Sequence, residues 1–381
     1  MIYADHAATS PPRREVLEAM WPVLAQLAAN PSSVHEPGLA AAALLEEARA
    51  AIAVELGARA AEIVLTSGGT EADNLAVKGI VLASSRGRHV VTTAGEHEAV
   101  LASADYLVRH HGAEVTVLGL DSDGLVDAGE LAAALRPDTA LVSVHHASNE
   151  LGTVQPMAEI ARAARAAGVP LHSDAVQSAG WLGPRLRDPG ALGADALSVS
   201  GHKLGAPAGV GVLAIRQAVP LEPLVHGGGQ ERGRRSGTES VAGAVAMAAA
   251  LQLAGRERAS REPSVRAARD ALVGGVRVAL PAARLTGHPE RRLPDHASFV
   301  VPGVSGEAVL LELERAGVVA SSGSACAAGR DEPSPALLAI GLDDDEARSS
   351  IRLTLGRAAD AALGVRLARE LAEAVARVSP R

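Results

Sequence analysis

The feature that most constrains this fold is an alternation. Short runs rich in Val, Leu and Ile recur from residue 63 to residue 215, and most are followed by a turn and an alanine-rich segment with helical spacing. Strands apolar on both faces and joined through helices pair in parallel and are covered on both sides. The runs at 63–65, 114–118, 139–144, 169–172, 196–199 and 210–215, with one from His89 that ends at Glu96 and His97, predict seven strands. Helices are expected at 14–27, at 39–56 closed by Gly57, from Glu71, and at 99–111, 128–135 and 157–167, the last closed by Gly168. Beyond residue 240 the pattern changes to helices at 241–255, 264–278, 306–316 and from 360, with strands at 297–301 and 350–355. The expectation is an α/β chain with a large domain over residues 15–250, built on a mostly parallel seven-stranded sheet. A smaller α+β domain would combine 1–14 with 251–381.

Composition narrows the class. Hydrophobic residues make up 48% but aromatics only 1%, so the core must be built from Ala, Val and Leu. A formal charge of -8 argues against direct nucleic-acid binding. No apolar run is long enough for a membrane span, and the first residues lack the basic and apolar regions of a secretory signal. Cys326 is the single cysteine, which excludes an intramolecular disulfide and leads us to expect a cytoplasmic protein. The 13 histidines show no tight metal-ligand spacing, so no metal is expected.

Lys203 lies in a small-residue turn between the apolar runs 196–199 and 210–215. Burying an ammonium is costly unless it is paired or loses its proton. A lysine placed there either sits on a surface loop or serves as a nucleophile toward an aldehyde.

Polar residues gather at the carboxyl ends of the predicted strands, where open α/β sheets bind ligands. Ser67 to Thr70 forms a glycine turn before a helix, a phosphate cradle through Gly69 and Thr70 or an ordinary N-cap. Asp174 ends a strand and would pair with a protonated pyridine nitrogen, or bond loop N–H groups. Gln177 follows it by three residues. His97 would cover a flat ring; Asn149 would donate to a phenolic oxygen or cap a turn. His202 would bond a phosphate, shuttle a proton or simply pack. Together these form the inventory for pyridoxal 5'-phosphate. Cys326 lies in a small-residue loop, SSGSACAAG, where a thiolate would attack a substrate; otherwise it is inert. Arg352 alternates with Ile351 and Leu353 and would clamp a carboxylate, or lie on the surface.

The ordered set DHAAT, NPSSVH, TSGGTEADNLA, EHEAVL, SNELG, HSDAVQ, SGHK, HGGGQERGRRSGT, SSGSAC and SSIRLTLGR resembles the cysteine desulfurases of the NifS/IscS type. These belong to the class V branch of the pyridoxal-phosphate-dependent aminotransferases, with the aspartate-aminotransferase-like fold. The resemblance covers nearly the whole chain. It implies that Lys203 holds the aldehyde of the cofactor, that Asp174 pairs with its ring nitrogen, and that His97, Asn149 and Gln177 surround the ring. Thr70, Ser200 and His202 would hold the phosphate, helped by Thr238 from a neighbouring subunit of a homodimer. Asn30 would lie near the substrate, and Arg352 would bind the carboxylate of L-cysteine.

The implied reaction turns L-cysteine into L-alanine and leaves sulfur as a persulfide on Cys326, for delivery to an acceptor protein in iron-sulfur cluster assembly, tRNA thiolation or a related pathway. A selenocysteine lyase, or another class V enzyme, is the alternative. Gly205 and Ala208 stand where relatives commonly carry an aromatic residue and a lysine, and Ser148 where they carry Asn. These departures leave every proposed catalytic group in place.

Overall fold

A computed structural model of the protein describes residues 1–187, 192–322 and 333–379. In chain order the elements begin with β1 (Ile2–Tyr3), α1 (Arg14–Gln26), α2 (Glu36–Glu55), β2 (Ile63–Thr66) and α3 (Gly69–Ala83). There follow β3 (His89–Thr93), α4 (Glu98–His111), β4 (Glu114–Leu118), α5 (Ala128–Ala134), β5 (Thr139–Ser143), α6 (Met157–Ala166), β6 (Leu171–Asp174), β7 (Ala196–Ser200) and β8 (Gly211–Ile215). The remainder comprises α7 (Val241–Ala279), β9 (Arg284–Leu285), β10 (His296–Val300), α8 (Gly306–Arg315), β11 (Val318–Val319), α9 (Pro335–Ala339), α10 (Asp344–Arg348), β12 (Ser350–Thr354) and α11 (Ala361–Val378).

Seven strands form one sheet in the order β2-β8-β7-β6-β5-β3-β4. From β4 through β7 every pair is parallel, as the apolar runs required. Strand β8 runs antiparallel to both β7 and β2, so β2 again points the way of β7. The carboxyl ends of β2, β3, β5, β6 and β7 therefore share one edge of the sheet. Strands β2, β3, β5, β6, β7 and β8 are buried at every position. That explains their lack of polar alternation.

A second sheet, β12-β10-β9, is antiparallel and packs with α7, α8 and α11 over its own apolar cluster around Phe299, Ile351 and Leu353. The N-terminus joins this unit: β1 pairs in parallel with β11.

One expectation fails. The helices predicted at 241–255 and 264–278 are a single 39-residue helix, α7, with Pro263 inside it. An interior proline costs about 3 kcal/mol, but the flanking Arg, Glu and Ala residues favour helix. Burial anchors both halves, with Ala244 to Ala254 in the core of the large sheet and Val265 to Val276 in the second cluster. Strand β6 also begins and ends two residues later than expected, which puts Asp174 inside the strand's last position.

Candidate active site

The shared edge of the sheet opens into a cavity of about 310 Å³. Its walls include Gly69, Thr70, His97, Asn149, Asp174, Gln177, Ser200, His202, Lys203 and Arg352. These residues span 284 positions of sequence (69 to 352) and come from both sheets.

Each arrives for a local reason. Strand β2 ends at Thr66, and α3 begins at Gly69, which is buried against β7 and the loop after β6. A Cβ at position 69 would lie 2.7 Å from Val176 Cγ2 and 3.4 Å from Ser200 Cβ, so only glycine leaves the first turn of α3 open here. The Ser200 Oγ is buried with no hydrogen-bond partner among the described residues. A helix start, an open glycine and an orphaned hydroxyl suit an anion. His202 lies on the short 3₁₀ turn after β7, and its Nδ1 is 3.1 Å from Thr9 Oγ1. Burial, with the charge of Lys203 added, pulls its pKa down to about 4, so it is neutral in ordinary buffers.

The Lys203 amine donates to the carbonyl oxygens of Ala7 and Ala8, at 2.7 Å from the latter. These carbonyls belong to the loop after β1, which also receives the amide of Gln177 at Ala7 O, 3.0 Å away. Asp174 is 8% exposed, and its Oδ1 accepts from the Val176 N–H at 2.8 Å. Burial raises its pKa; His97 and the Val176 N–H work against that, Glu96 with it and His145 against. His97 is the N-cap of α4, its Nδ1 accepting from Ala99 N–H at 3.1 Å.

From the other sheet comes Arg352, on β12 and 1% exposed. It pairs with Asp5 at 3.0 Å and donates to Asn149 O at 3.1 Å, while its buried Nε has no hydrogen-bond partner among the described residues. A guanidinium held on two sides with a donor left over is prepared for a carboxylate.

Other expected residues are placed elsewhere. Asn30 is exposed and outside the cavity wall, where its Oδ1 accepts from Ser32 N–H at 2.9 Å in a local turn. Thr238 is exposed in the segment after the buried Arg49–Glu231 pair, whose contacts are 2.6 and 2.8 Å. It does not line the cavity of its own chain. Cys326 lies outside the described residues.

The sequence reading missed Asp73, His145 and the Ala7–Ala8 carbonyls, all of which reach this cavity. Asp73 was detectable: it falls on the same face of α3 as Ala76, Val77 and Ile80, all buried. His145 sits with Nδ1 3.2 Å from Glu96 Oε1. Burial alone would lower its pKa, but Glu96 outweighs burial and raises it. Backbone carbonyls carry no sequence signature.

Residues 2–362 match the family described as Aminotransferase class-V. The chain is 47% identical over 377 residues to an IscS-like cysteine desulfurase of Mycobacterium tuberculosis, covering 96% of this chain and 95% of that one. It is 42% identical to the cysteine desulfurase IscS of Dictyoglomus turgidum, covering 93% and 89%. Among solved structures, a NifS-like protein superposes with a TM-score of 0.91 at 33% identity, covering 99% of this chain and 100% of that one. A structure described as SspA in complex with cysteine superposes with a TM-score of 0.82 at 34% identity, covering 93% and 99%. With the motifs, the sheet order and the cavity in agreement, the chain belongs to the aminotransferase class-V family.

Proposed function

We propose that this chain is a pyridoxal 5'-phosphate-dependent cysteine desulfurase that converts L-cysteine to L-alanine. The observation that carries the reading is the convergence of Lys203, Asp174, His97, Ser200 and Arg352 on one cavity from two sheets. Its donor set fits the cofactor. Gly69, Thr70, Ser200 and His202 would hold the phosphate, Asp174 a protonated ring nitrogen, and Lys203 the aldehyde. His97, Asn149 and Gln177 would line the ring. When bound, the cofactor supplies a sink for the electrons left at the substrate's α-carbon.

The chain's own groups do the rest. Arg352 binds the substrate carboxylate and so fixes which bond at the α-carbon faces Lys203. The Lys203 amine takes the α-proton onto Nζ, the carbonyls of Ala7 and Ala8 being placed to accept from the resulting ammonium. His202, neutral, leaves its imidazole free to hydrogen-bond an anion without adding charge. The Cys326 thiolate attacks the substrate sulfur. The carbon–sulfur bond breaks with its electron pair going to the β-carbon, which takes up a proton; the proton held on Lys203 Nζ returns to the α-carbon to complete alanine, and the sulfur stays on Cys326 as a persulfide.

The same reading divides the chain into a large unit over 15–250 and a small one from 1–14 and 251–381, supported by separate apolar clusters. It also makes the active unit a cytoplasmic homodimer, with Thr238 crossing to the neighbouring site and a sulfur-acceptor protein as partner. The exposure of Thr238 outside its own cavity is what such a crossing requires. Purified protein incubated with pyridoxal 5'-phosphate should gain visible absorbance and release alanine from L-cysteine. Cys326→Ala should keep the absorbance and lose the persulfide. A protein that binds no pyridoxal phosphate, or a Cys326→Ala variant that still forms the persulfide, would overturn the assignment.

A further inference from the structure

Two carboxyl groups line the cavity, Asp174 from β6 and Asp73 from α3. Their surroundings differ. Asp174 has the Val176 N–H on Oδ1 and faces the imidazole of His97. Asp73 is 1% exposed, and its Oδ1 has no hydrogen-bond partner among the described residues. Its nearest basic group is His172 Nε2, 3.6 Å away. That imidazole is already engaged on both sides, with Nδ1 2.9 Å from Ser143 Oγ and Nε2 2.9 Å from Ser198 Oγ. Burial pulls its pKa down to about 4, so His172 carries no charge to offset a carboxylate. A buried anion needs a cation or several donors, and two anions in one dry site repel.

We propose that Asp73 is a positioning residue: a buried acid that keeps its proton through neutral pH and so confines the negative charge of the pair to Asp174. The assignment rests on the function proposed above only in giving that charge a ring nitrogen to meet. The groups that face Asp73 agree with it. Burial first, then the neighbouring Asp174, push its pKa well above the usual carboxylate range; Ser198 works weakly against this and Glu96 reinforces it. His145, which also lines the cavity, has its Nδ1 3.2 Å from Glu96 Oε1, and, against burial, Glu96 raises its pKa. Lys203 and Arg352 line the same cavity, Lys203 donating to the carbonyls of Ala7 and Ala8, and Arg352 pairing with Asp5 and donating to Asn149 O.

Infrared spectroscopy of the full-length protein, before and after addition of pyridoxal phosphate, tests this directly. At neutral pH the carbonyl band of a protonated carboxylic acid should be present in the wild type and in Asp174→Asn, and should lose a component in Asp73→Asn. A band unchanged by Asp73→Asn, or lost with Asp174→Asn instead, would overturn the proposal. The second measurement is thermal stability against pH. An acid whose folded pKa is raised binds its proton in the fold after the unfolded chain has released it. Its contribution is therefore lost progressively as pH rises above about 4 and on through the neutral range. Asp73→Asn should flatten that decline, a change that a purely structural role would not produce; an unaltered slope counts against the proposal. Asp73→Ala, smaller and unable to ionise, serves should the amide variant fail to fold. Because the band does not depend on the cofactor, absent pyridoxal phosphate binding would refute the desulfurase reading alone and leave Asp73 to be judged on its own spectrum.

Discussion

Lys203 donates to backbone oxygens, which no side-chain substitution removes, so its amine stays in place when neighbours are changed. Removing the amine should therefore remove chemistry and not architecture. We expect Lys203→Ala to melt close to the wild type and to lose alanine formation by about 10²–10⁴-fold, the usual share of a general base; paired calorimetry and product assays check this. Arg352 behaves differently, because besides the carboxylate-binding role proposed for it, it is a buried ion-pair partner of Asp5. Arg352→Lys should keep a charge but lose the paired donors. A bond to a charged group is worth about 1.5–3 kcal/mol, so KM for L-cysteine should rise by about tenfold or more, with a smaller change in kcat, in steady-state kinetics.

At the scale of elements, close approach decides where glycine is required. The first turn of α3 touches β7 and the loop after β6 through Gly69. Gly69→Ala should push Val176 or Ser200 aside and weaken pyridoxal phosphate binding, read by absorbance titration. The crossing of α11 over α7 is tighter still. A Cβ at Gly364 would lie 2.0 Å from the Ala268 carbonyl oxygen, and backbone cannot rotate away as a side chain does. Overpacking costs about 1–3 kcal/mol, so Gly364→Ala should lower the melting temperature while leaving the cofactor absorbance of the folded fraction unaltered. The continuity of α7 through Pro263 belongs to this scale too: the helix is held by what its two halves bury, not by the residues at its middle.

Across the whole molecule, the second apolar cluster includes Trp181, against whose ring Arg357 lies at 4.7 Å. Beside them Asp295 is buried, and that burial pushes its pKa up to about 7 against opposing hydrogen bonds and guanidinium charges. The unfolded aspartate releases its proton near pH 4. The fold therefore loses stability from this group as pH rises from about 4 to about 7, and the loss is complete above that. Asp295→Asn should flatten this decline in melting temperature, measured across the same window. If the site is shared between two copies, Lys203→Ala and Thr238→Ala proteins, each impaired alone, should recover activity when unfolded and refolded together. One site of each mixed pair would then contain neither substitution; no recovery would argue against a shared site.

Much of this was legible beforehand because it is local. Period and apolarity announced the strands, Gly57 and Gly168 announced helix ends, and Asp174, Lys203 and Arg352 stood out as charges within or beside apolar runs. The run of motifs then carried the family. Asp73 is less obvious, because only the apolar face it shares with Ala76, Val77 and Ile80 separates it from a solvated helix acid, and Ala7 and Ala8 leave no trace because their contribution is a carbonyl. The sequence by itself determined the seven strands of the large sheet and most of the longer helices, since those depend on neighbours in the chain; the short elements β9, β11, α9 and α10 carry no such signal. Tertiary structure alone decided that Arg352 reaches Asn149, that α7 runs unbroken, and that Asp73 Oδ1 has no hydrogen-bond partner among the described residues while Asp174 Oδ1 does. Those outcomes depend on desolvation and contact between segments hundreds of residues apart, which no local pattern encodes.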